Sequence, residues 1–218
     1  MSKYKYLFFD LDGTLTDSAE GITNSVAYAL NKFGIIINDK SVLTPFIGPP
    51  LVDAFMKHYG FSLEDAKKAT EFYRERFRDI GIFENHVYDG IKELLESLKD
   101  KGFKLVVATA KPEEFANRIL SHFKLDGYFH TVAGATFDGR ISNKHDVIEY
   151  AFSKICDIKK EETVMIGDRD HDILGAKAFG LDSIGVLYGY GSEEELVKAG
   201  ATYIASTVKD IEKIILDL

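Results

Sequence analysis

The amino-acid sequence predicts an α/β fold in which helices cover both faces of a parallel sheet and an all-helical segment interrupts the chain. Short apolar runs that end in polar residues recur along the sequence, which is typical of strands buried on both faces. Helical patterns alternate with these runs, and this alternation indicates parallel strands. One block of consecutive helical patterns breaks the alternation. These three observations predict a Rossmann-like core with an inserted cap.

The core elements follow from the two periodicities. The apolar runs predict strands at Tyr6–Phe9, Leu105–Ala108, Thr163–Ile166 and Asp182–Leu187. Between these runs the sequence predicts helices at Ile91–Lys99, Pro112–Phe123, Lys144–Ile155 and Asp172–Phe179. The strands and helices therefore form one layered core.

The interrupting block lies between the first and second strands. It contains helical patterns at Ala19–Phe33, Pro50–Tyr59 and Ser62–Arg78, with no clear strand between them. Ser62 is suited to cap the third helix, because acidic residues follow it in the first turn. We assign residues 16–86 to a helical cap, and residues 1–15 and 87–218 to the α/β core.

Composition limits the possible partners. The 218 residues carry a formal net charge of −8, from 35 acidic and 27 basic side chains, which disfavours a nucleic-acid polymer. Small anionic substrates remain possible, because a few local cations can reverse the field inside one cleft. The single cysteine, Cys156, predicts a protein without an intramolecular disulfide. We expect no signal peptide, no membrane association and a cytoplasmic protein, monomeric by default with a dimer possible.

Polar residues follow three of the predicted strands. Asp10, Thr109 and Asp168 come at the ends of the first, second and third strands. Polar residues commonly begin loops, so any one of them alone carries little weight. Since the carboxyl ends of parallel strands meet at one edge of a sheet, the three side chains are expected to share a crevice.

Asp10 and Asp12 are the strongest chemical signal. Gly13 follows the two carboxylates closely, and because glycine permits backbone conformations that other residues avoid, we expect the chain to turn after Asp10. Neighbouring carboxylates repel unless a cation or a proton lies between them. A hard divalent ion such as Mg²⁺ accepts oxygen ligands, and Asp168 and Asp172 supply further acid nearby.

Four motifs carry a resemblance to a known family. They are Asp10-x-Asp12-Gly13-Thr14, Thr109 at a strand end, Lys144 at a helix start, and Gly167-Asp168-x-x-x-Asp172. In order and spacing they resemble the motifs of the haloacid dehalogenase superfamily, over the whole chain. The segments Phe46–Leu51, Gly81–Asn85 and Gly185–Gly191 are similar to bacterial members known as phosphoglycolate phosphatase or 5'-nucleotidase, which have a helical cap of the C1 type.

The resemblance implies a magnesium-dependent phosphatase that forms an aspartyl-phosphate. Its substrates would be small phosphorylated metabolites, such as phosphoglycolate or nucleoside 5'-monophosphates. Asp10 would be the nucleophile and Asp12 the general acid and base. A carboxylate oxygen of Asp10, the backbone carbonyl of Asp12 and a carboxylate oxygen of Asp168 would hold Mg²⁺.

Three more residues acquire roles from the resemblance. Thr109 would donate a hydrogen bond to a phosphoryl oxygen, and Lys144 would offset negative charge in the site. Asp172 would lie behind the metal ligands and steady either Lys144 or a metal-bound water. Independently of the family, a lysine near a helix start is unfavourable with respect to the helix dipole, so Lys144 is more plausible beside an anion.

Several other residues stay open at this stage. Lys111 adds positive charge to the crevice unless the helix that begins at Pro112 turns it outward. His171 is expected to be an exposed loop residue without a catalytic duty. Tyr188 and Tyr190 pack or contact substrate.

The cap is expected to set substrate choice, because the core handles only the phosphoryl group that all substrates share. Gly48 and Pro49 form a rigid bend in the cap, and we predict that this loop contacts substrate. A sugar phosphomutase would keep every core motif. A dehalogenase has no use for Asp12, a phosphonate hydrolase needs a cap lysine that nothing marks, and a phospho-acceptor signalling module lacks the insert. A pseudoenzyme would have lost an acid, and none is missing.

Overall fold

The computed structural model of the chain describes residues 2–217. The chain divides into two compact units, one formed by Met1–Thr16 and Val87–Leu218 and the other by Asp17–His86. The first boundary lies one residue after the predicted one, and the second lies at the predicted position. Within residues 2–217, no helix is both long and apolar enough to cross a bilayer.

The first unit is built on a six-stranded sheet with the order β5-β4-β1-β6-β7-β8. Its strands are β1 (Tyr6–Phe9), β4 (Lys104–Pro112), β5 (Thr131–Ala135), β6 (Thr163–Gly167), β7 (Asp182–Val186) and β8 (Tyr203–Ala205); the short strands β2 (Thr16–Asp17) and β3 (His86–Val87) pair with each other. Every neighbouring pair in the six-stranded sheet is parallel, so the predicted parallel core is confirmed. With β1 central, the strand order reverses there and a crevice is expected at the strand ends.

Helices account for most of the remaining chain. The first unit contains α4 (Ile91–Asp100), α5 (Glu113–His122), α6 (Lys144–Ser153), α7 (Asp170–Phe179), α8 (Glu193–Ala199) and α9 (Val208–Leu216), and the second contains α1 (Ala19–Asn31), α2 (Leu51–Tyr59) and α3 (Leu63–Phe77). The predicted helices are all present, with ends that differ by at most two residues. The predicted α/β fold class is therefore confirmed.

One core cluster fixes α6 against the sheet. Phe8, Val106 and Met165 come from the three central strands and are fully buried together with Val147 and Ile148 of α6. Complete burial of each large apolar side chain contributes roughly 1.5–3 kcal/mol. This packing fixes the position of the first residue of α6 near the carboxyl ends of the strands.

The end of β4 differs from the sequence-based expectation. We predicted that the strand stops before Thr109, but it continues to Pro112, with a shift of register between Thr109 and Pro112. A register shift leaves residues outside the regular ladder and re-aims their side chains. The prediction that Thr109 terminates the strand is wrong, and the irregularity begins at that residue instead.

The second unit is helical, as its sequence predicts. Two 3₁₀ segments, Lys40–Phe46 and Gly81–Phe83, accompany its α-helices. Ser62 caps α3, since its side chain accepts a hydrogen bond from the Asp65 backbone N–H. A bidentate ion pair of 2.8 Å joins Arg76 of α3 to Glu84 beyond the second 3₁₀ segment. Within this unit, Gly48 has a left-handed backbone with φ of 102°, and Pro49 follows it just before α2.

Candidate active site

The crevice at the carboxyl end of the sheet collects the predicted polar residues. Asp10 follows β1, Thr109 lies at the bulge in β4, and Asp168 follows β6. Each of the three residues is buried. The Asp10 backbone N–H donates a hydrogen bond of 2.9 Å to the Ile166 carbonyl, which extends the pairing of β1 and β6 up to the site. The parallel sheet therefore brings together residues that are far apart in sequence.

The chain turns sharply after Asp10, as Gly13 predicts. Gly13 has a φ of 86°, and its backbone N–H donates to the Thr16 carbonyl at 2.8 Å. Gly13 also packs directly on Asp168: a Cβ at this position would lie 2.2 Å from Asp168 Oδ2. Both requirements, a left-handed backbone and the absence of a side chain, are met by glycine alone.

Lys144 is buried among carboxylates rather than solvated. Its Nζ lies 2.8 Å from Asp10 Oδ1 and 2.7 Å from Asp172 Oδ1, and it donates a hydrogen bond of 2.9 Å to the Ala108 carbonyl. The prediction that Lys144 opens a helix is confirmed, because α6 begins there and the Asn143 side chain accepts the Asp146 N–H as its cap. The unfavourable position relative to the helix dipole is thus compensated by two anions.

These charges shift one another's proton affinities. Burial raises the pKa of Asp10 above its usual value, despite the opposing effect of Lys144. Burial would also raise the pKa of Asp172, but Lys144 and His171 hold that pKa below its usual value. Burial would lower the pKa of Lys144, whereas Asp10 and Asp172 raise it. Two acids that share one cation separate in this way, so Asp172 is the more acidic of the pair.

Asp168 is held on the other side of the turn. Its Oδ2 accepts a hydrogen bond of 2.8 Å from the Tyr190 backbone N–H, and its Oδ1 accepts a longer one of 3.4 Å from Thr14 Oγ1. Burial, together with the charges of Asp172 and Asp10, raises the pKa of Asp168 to about 8. A carboxyl group with so high a proton affinity lies in a site where negative charge exceeds positive charge.

Asp12 has a partner that the sequence left undecided. Lys111 points inward, and its Nζ lies 2.9 Å from Asp12 Oδ2, with both side chains buried. The Lys111 backbone N–H also donates to Thr109 Oγ1 at 3.2 Å, so the bulge in β4 orients both residues. The Thr109 hydroxyl hydrogen remains for donation to another group.

His171 lies in the site, contrary to the sequence-based expectation. We expected an exposed loop residue, but the side chain is only 24% exposed, and its Nε2 is buried 3.7 Å from Asp172 Oδ1. Ligand atoms of His171, Asp10 and Asp172 lie within 4.8 Å of one another. Burial would lower the pKa of His171, but Asp172 and Asp170 raise it. Its position between two acids was the only signal in the sequence.

The acids retain unused lone pairs. Asp12 Oδ1 is buried and accepts no hydrogen bond from any residue between 2 and 217. Asp10 Oδ1 and Asp172 Oδ1 are also buried, and Lys144 Nζ contacts both of them, at 2.8 Å and 2.7 Å. Buried carboxylate oxygens that outnumber the donors around them fit a hard cation, so the residues present are compatible with Mg²⁺.

Known proteins resemble this chain over nearly its full length. A 5'-nucleotidase from Pseudomonas aeruginosa is 45% identical over 213 residues, which cover 98% of this chain and 96% of that protein. The tyrosine-protein kinase PtkA from Mycobacterium tuberculosis is 38% identical over 209 residues, covering 95% of this chain and 71% of the kinase.

A solved structure gives the same result for the fold. The crystal structure described as a predicted phosphatase from Clostridium acetobutylicum has a TM-score of 0.97 and 55% identity, and the match covers 100% of both chains. The family model for haloacid dehalogenase-like hydrolases matches residues 7–186, which include every candidate residue of the first unit's crevice. With its fold, motif order and relatives in agreement, the chain belongs to the haloacid dehalogenase-like hydrolase family.

Proposed function

We propose that the chain is a Mg²⁺-dependent phosphatase that hydrolyses small-molecule phosphate monoesters through an aspartyl-phosphate on Asp10. The buried contact of 2.8 Å between Asp10 Oδ1 and Lys144 Nζ supports this most directly. It places a carboxylate nucleophile beside a cation that attracts a phosphoryl group. The names of relatives, which include a 5'-nucleotidase, agree with this reaction class.

The reaction would proceed in two displacements. In the first, a carboxylate oxygen of Asp10 forms a bond to phosphorus while the ester P–O bond breaks, and Asp12 gives a proton to the departing alkoxide. In the second, water attacks phosphorus, Asp12 takes its proton, and the bond between phosphorus and Asp10 breaks. Inorganic phosphate leaves, and both carboxyl groups return to their starting states.

The contacts of Asp12 suit this double duty. Lys111 holds one carboxylate oxygen of Asp12 at 2.9 Å, while the other, Oδ1, accepts no hydrogen bond within residues 2–217. The held oxygen fixes the orientation of the carboxyl group, and the open oxygen is left to exchange a proton. Thr109 would donate a hydrogen bond from its hydroxyl to a phosphoryl oxygen, as the family resemblance implies.

Magnesium would be held by carboxylate oxygens of Asp10 and Asp168 and by the Asp12 carbonyl, where its charge would offset the repulsion between acids and attract phosphoryl oxygens. The alternative group of Asp10, His171 and Asp172 is less suited, because Lys144 already lies against both of its carboxylates. Asp172 would then serve to hold Lys144 in place.

Hydrolysis of p-nitrophenyl phosphate tests the proposal. We expect nitrophenol release in the presence of MgCl₂, loss of activity on chelation with EDTA, and recovery when Mg²⁺ is restored. Activity that survives chelation would remove the metal from the proposal. Specificity constants for phosphoglycolate, nucleoside 5'-monophosphates and sugar phosphates would then identify the substrate class, and inactivity towards all of these esters would count against a phosphatase.

Transfer of the phosphoryl group to an acceptor other than water is a second candidate. The 38% identity to a tyrosine-protein kinase favours it, and a sugar phosphomutase would be a related case. Incubation with γ-labelled ATP and a tyrosine-containing peptide separates the two outcomes. Label on the peptide would indicate transfer, whereas label found only in inorganic phosphate would indicate hydrolysis.

We also propose that Gly48 and Pro49 of the second unit influence substrate choice. Replacing Gly48 by alanine would strain a backbone with φ of 102° and thereby reshape this loop. We expect the ranking of substrates in the panel to change while hydrolysis of p-nitrophenyl phosphate persists. An unchanged ranking would exclude the loop from substrate selection.

A further inference from the structure

The glycine-rich segment after β7 lies directly against Asp168. This segment, residues 188–191, donates the hydrogen bond of 2.8 Å from the Tyr190 backbone N–H to Asp168 Oδ2. Its last residue, Gly191, is so close that a Cβ there would lie 2.0 Å from the Asp168 carbonyl oxygen. The segment therefore contacts both the backbone and the carboxylate of Asp168.

Gly189 contacts two parts of the crevice at once. A Cβ at Gly189 would lie 2.4 Å from Asp168 Cβ, 2.6 Å from Asp168 Oδ2 and 2.4 Å from the Gly13 carbonyl oxygen. Gly13 belongs to the turn that follows Asp10. The φ of Gly189 is not in the left-handed region, so alanine can adopt this backbone conformation. A substitution by alanine would therefore act only through the steric contacts of its Cβ.

The same segment is also tied to that turn. Tyr188 donates a hydrogen bond of 2.9 Å from its hydroxyl to the Thr14 carbonyl, and its ring packs edge-on against Tyr88 at a centroid distance of 5.0 Å. The segment thus holds Asp168 on one side and the turn of residues 10–14 on the other. Because Gly189 has no side chain, Asp168 and the turn of residues 10–14 can lie close together on either side of the segment.

We propose that Gly189 is a positioning residue that sets the spacing between Asp168 and the turn of residues 10–14, and that this spacing makes the site select Mg²⁺ over the larger Ca²⁺. The inference rests on the proposed metal site, which draws its ligands from these two segments. Mg²⁺ requires short ligand distances of about 2.0–2.1 Å, whereas Ca²⁺ accepts about 2.3–2.6 Å in a flexible arrangement. A side chain at Gly189 would push the segments apart and penalise the smaller ion.

Isothermal titration calorimetry of the Gly189→Ala protein with MgCl₂ and with CaCl₂ tests this inference. We expect the ratio of Mg²⁺ affinity to Ca²⁺ affinity to fall by about tenfold or more, as changes behind metal ligands commonly cause. Gly127→Ala is the matched control, because a Cβ at Gly127 meets no atom within 4 Å and its φ is ordinary. A general loss of folding would weaken the binding of both ions alike. A change in the ratio of the two affinities therefore reports the positioning of the ligands.

The outcomes are distinguishable. If Gly189→Ala is folded and keeps the ratio of the wild-type protein, the inference is wrong while the proposed function stands. If Gly189→Ala does not fold, Tyr188→Phe decides: it keeps the ring and removes the bond to Thr14, and it should lower the ratio less strongly, whereas an unchanged ratio overturns the inference. A wild-type protein that binds neither ion would remove the proposed metal site, and this inference with it.

Discussion

Replacement of Asp10 by asparagine is expected to reduce the turnover number by about 10⁴-fold or more, since a residue that forms the covalent intermediate has no substitute. Asparagine has nearly the same shape as aspartate, but its side-chain amide is a far weaker nucleophile. Steady-state hydrolysis of p-nitrophenyl phosphate at saturating Mg²⁺ measures the loss. Full activity in Asp10→Asn would remove the nucleophile assignment.

The loss should not come from unfolding. Burial raises the pKa of Asp10, so its charged form is costly in the folded protein, and a neutral residue removes that cost. We expect Asp10→Asn to melt at the same temperature as the wild-type protein or higher in the absence of Mg²⁺. Asp100→Asn, an exposed change at the end of α4, controls for the altered net charge and should leave turnover unchanged.

Replacement of Lys144 by methionine is expected to damage both activity and stability. The two carboxylates that contact its Nζ would stay buried without their cation. Loss of one partner from a buried ion pair costs about 3–5 kcal/mol in the free energy of unfolding. Urea denaturation measures this value. Lys159→Met is the control, because that lysine is 60% exposed and its surface ion pair with Glu162 contributes little to stability.

Acidification should reduce the difference in the free energy of unfolding between Lys144→Met and the wild-type protein. Lys144 helps to hold the pKa of Asp172 below its usual value, so this ion pair stabilises the wild-type fold above the unfolded pKa of about 4 and ceases to do so as pH falls through the lower folded pKa. A difference in unfolding free energy that stays constant from neutral pH to pH values below about 4 would contradict this electrostatic origin.

The sequence was sufficient to predict which residues meet at the centre of the candidate site, because these residues lie at the ends of recognisable strands and helices. Asp10 and Asp168 come directly after buried strands, and Lys144 opens a helix that an asparagine caps. The positions of such residues follow from the order of strands and helices alone. The parallel sheet then dictates that they meet.

Lys111 and His171 show where this reasoning stops. Lys111 lies where the register of β4 shifts after Thr109, and it points inward to Asp12; such a shift depends on backbone geometry that no periodicity reveals. His171 lies in the first turn of α7, where the rotation of the helix decides whether the ring faces solvent or Asp172. That rotation is set by tertiary packing.

Strands β5 and β8 were not predicted from the sequence, and the reason is again tertiary context. β5 contains Ala133, Gly134 and Ala135, which are weak strand formers, and β8 comprises only Tyr203–Ala205. Both strands exist because a neighbouring strand already offers hydrogen-bonding groups. Gly134 also packs against α5, since a Cβ there would lie 2.5 Å from Glu113 Cα. In the sequence a glycine such as Gly134 suggests a turn, whereas in the fold it provides the space in which α5 packs on β5.

The most direct test of the account is whether Asp10 becomes phosphorylated during turnover. Protein mixed with substrate and Mg²⁺ would be quenched rapidly in acid, digested with pepsin and analysed by mass spectrometry. We predict the added mass of one phosphoryl group on the peptide that contains Asp10, longer-lived in Asp12→Asn and absent in Asp10→Asn. Turnover by a wild-type protein whose Asp10 peptide stays unmodified at every quench time, or phosphorylation at another residue, would contradict the account.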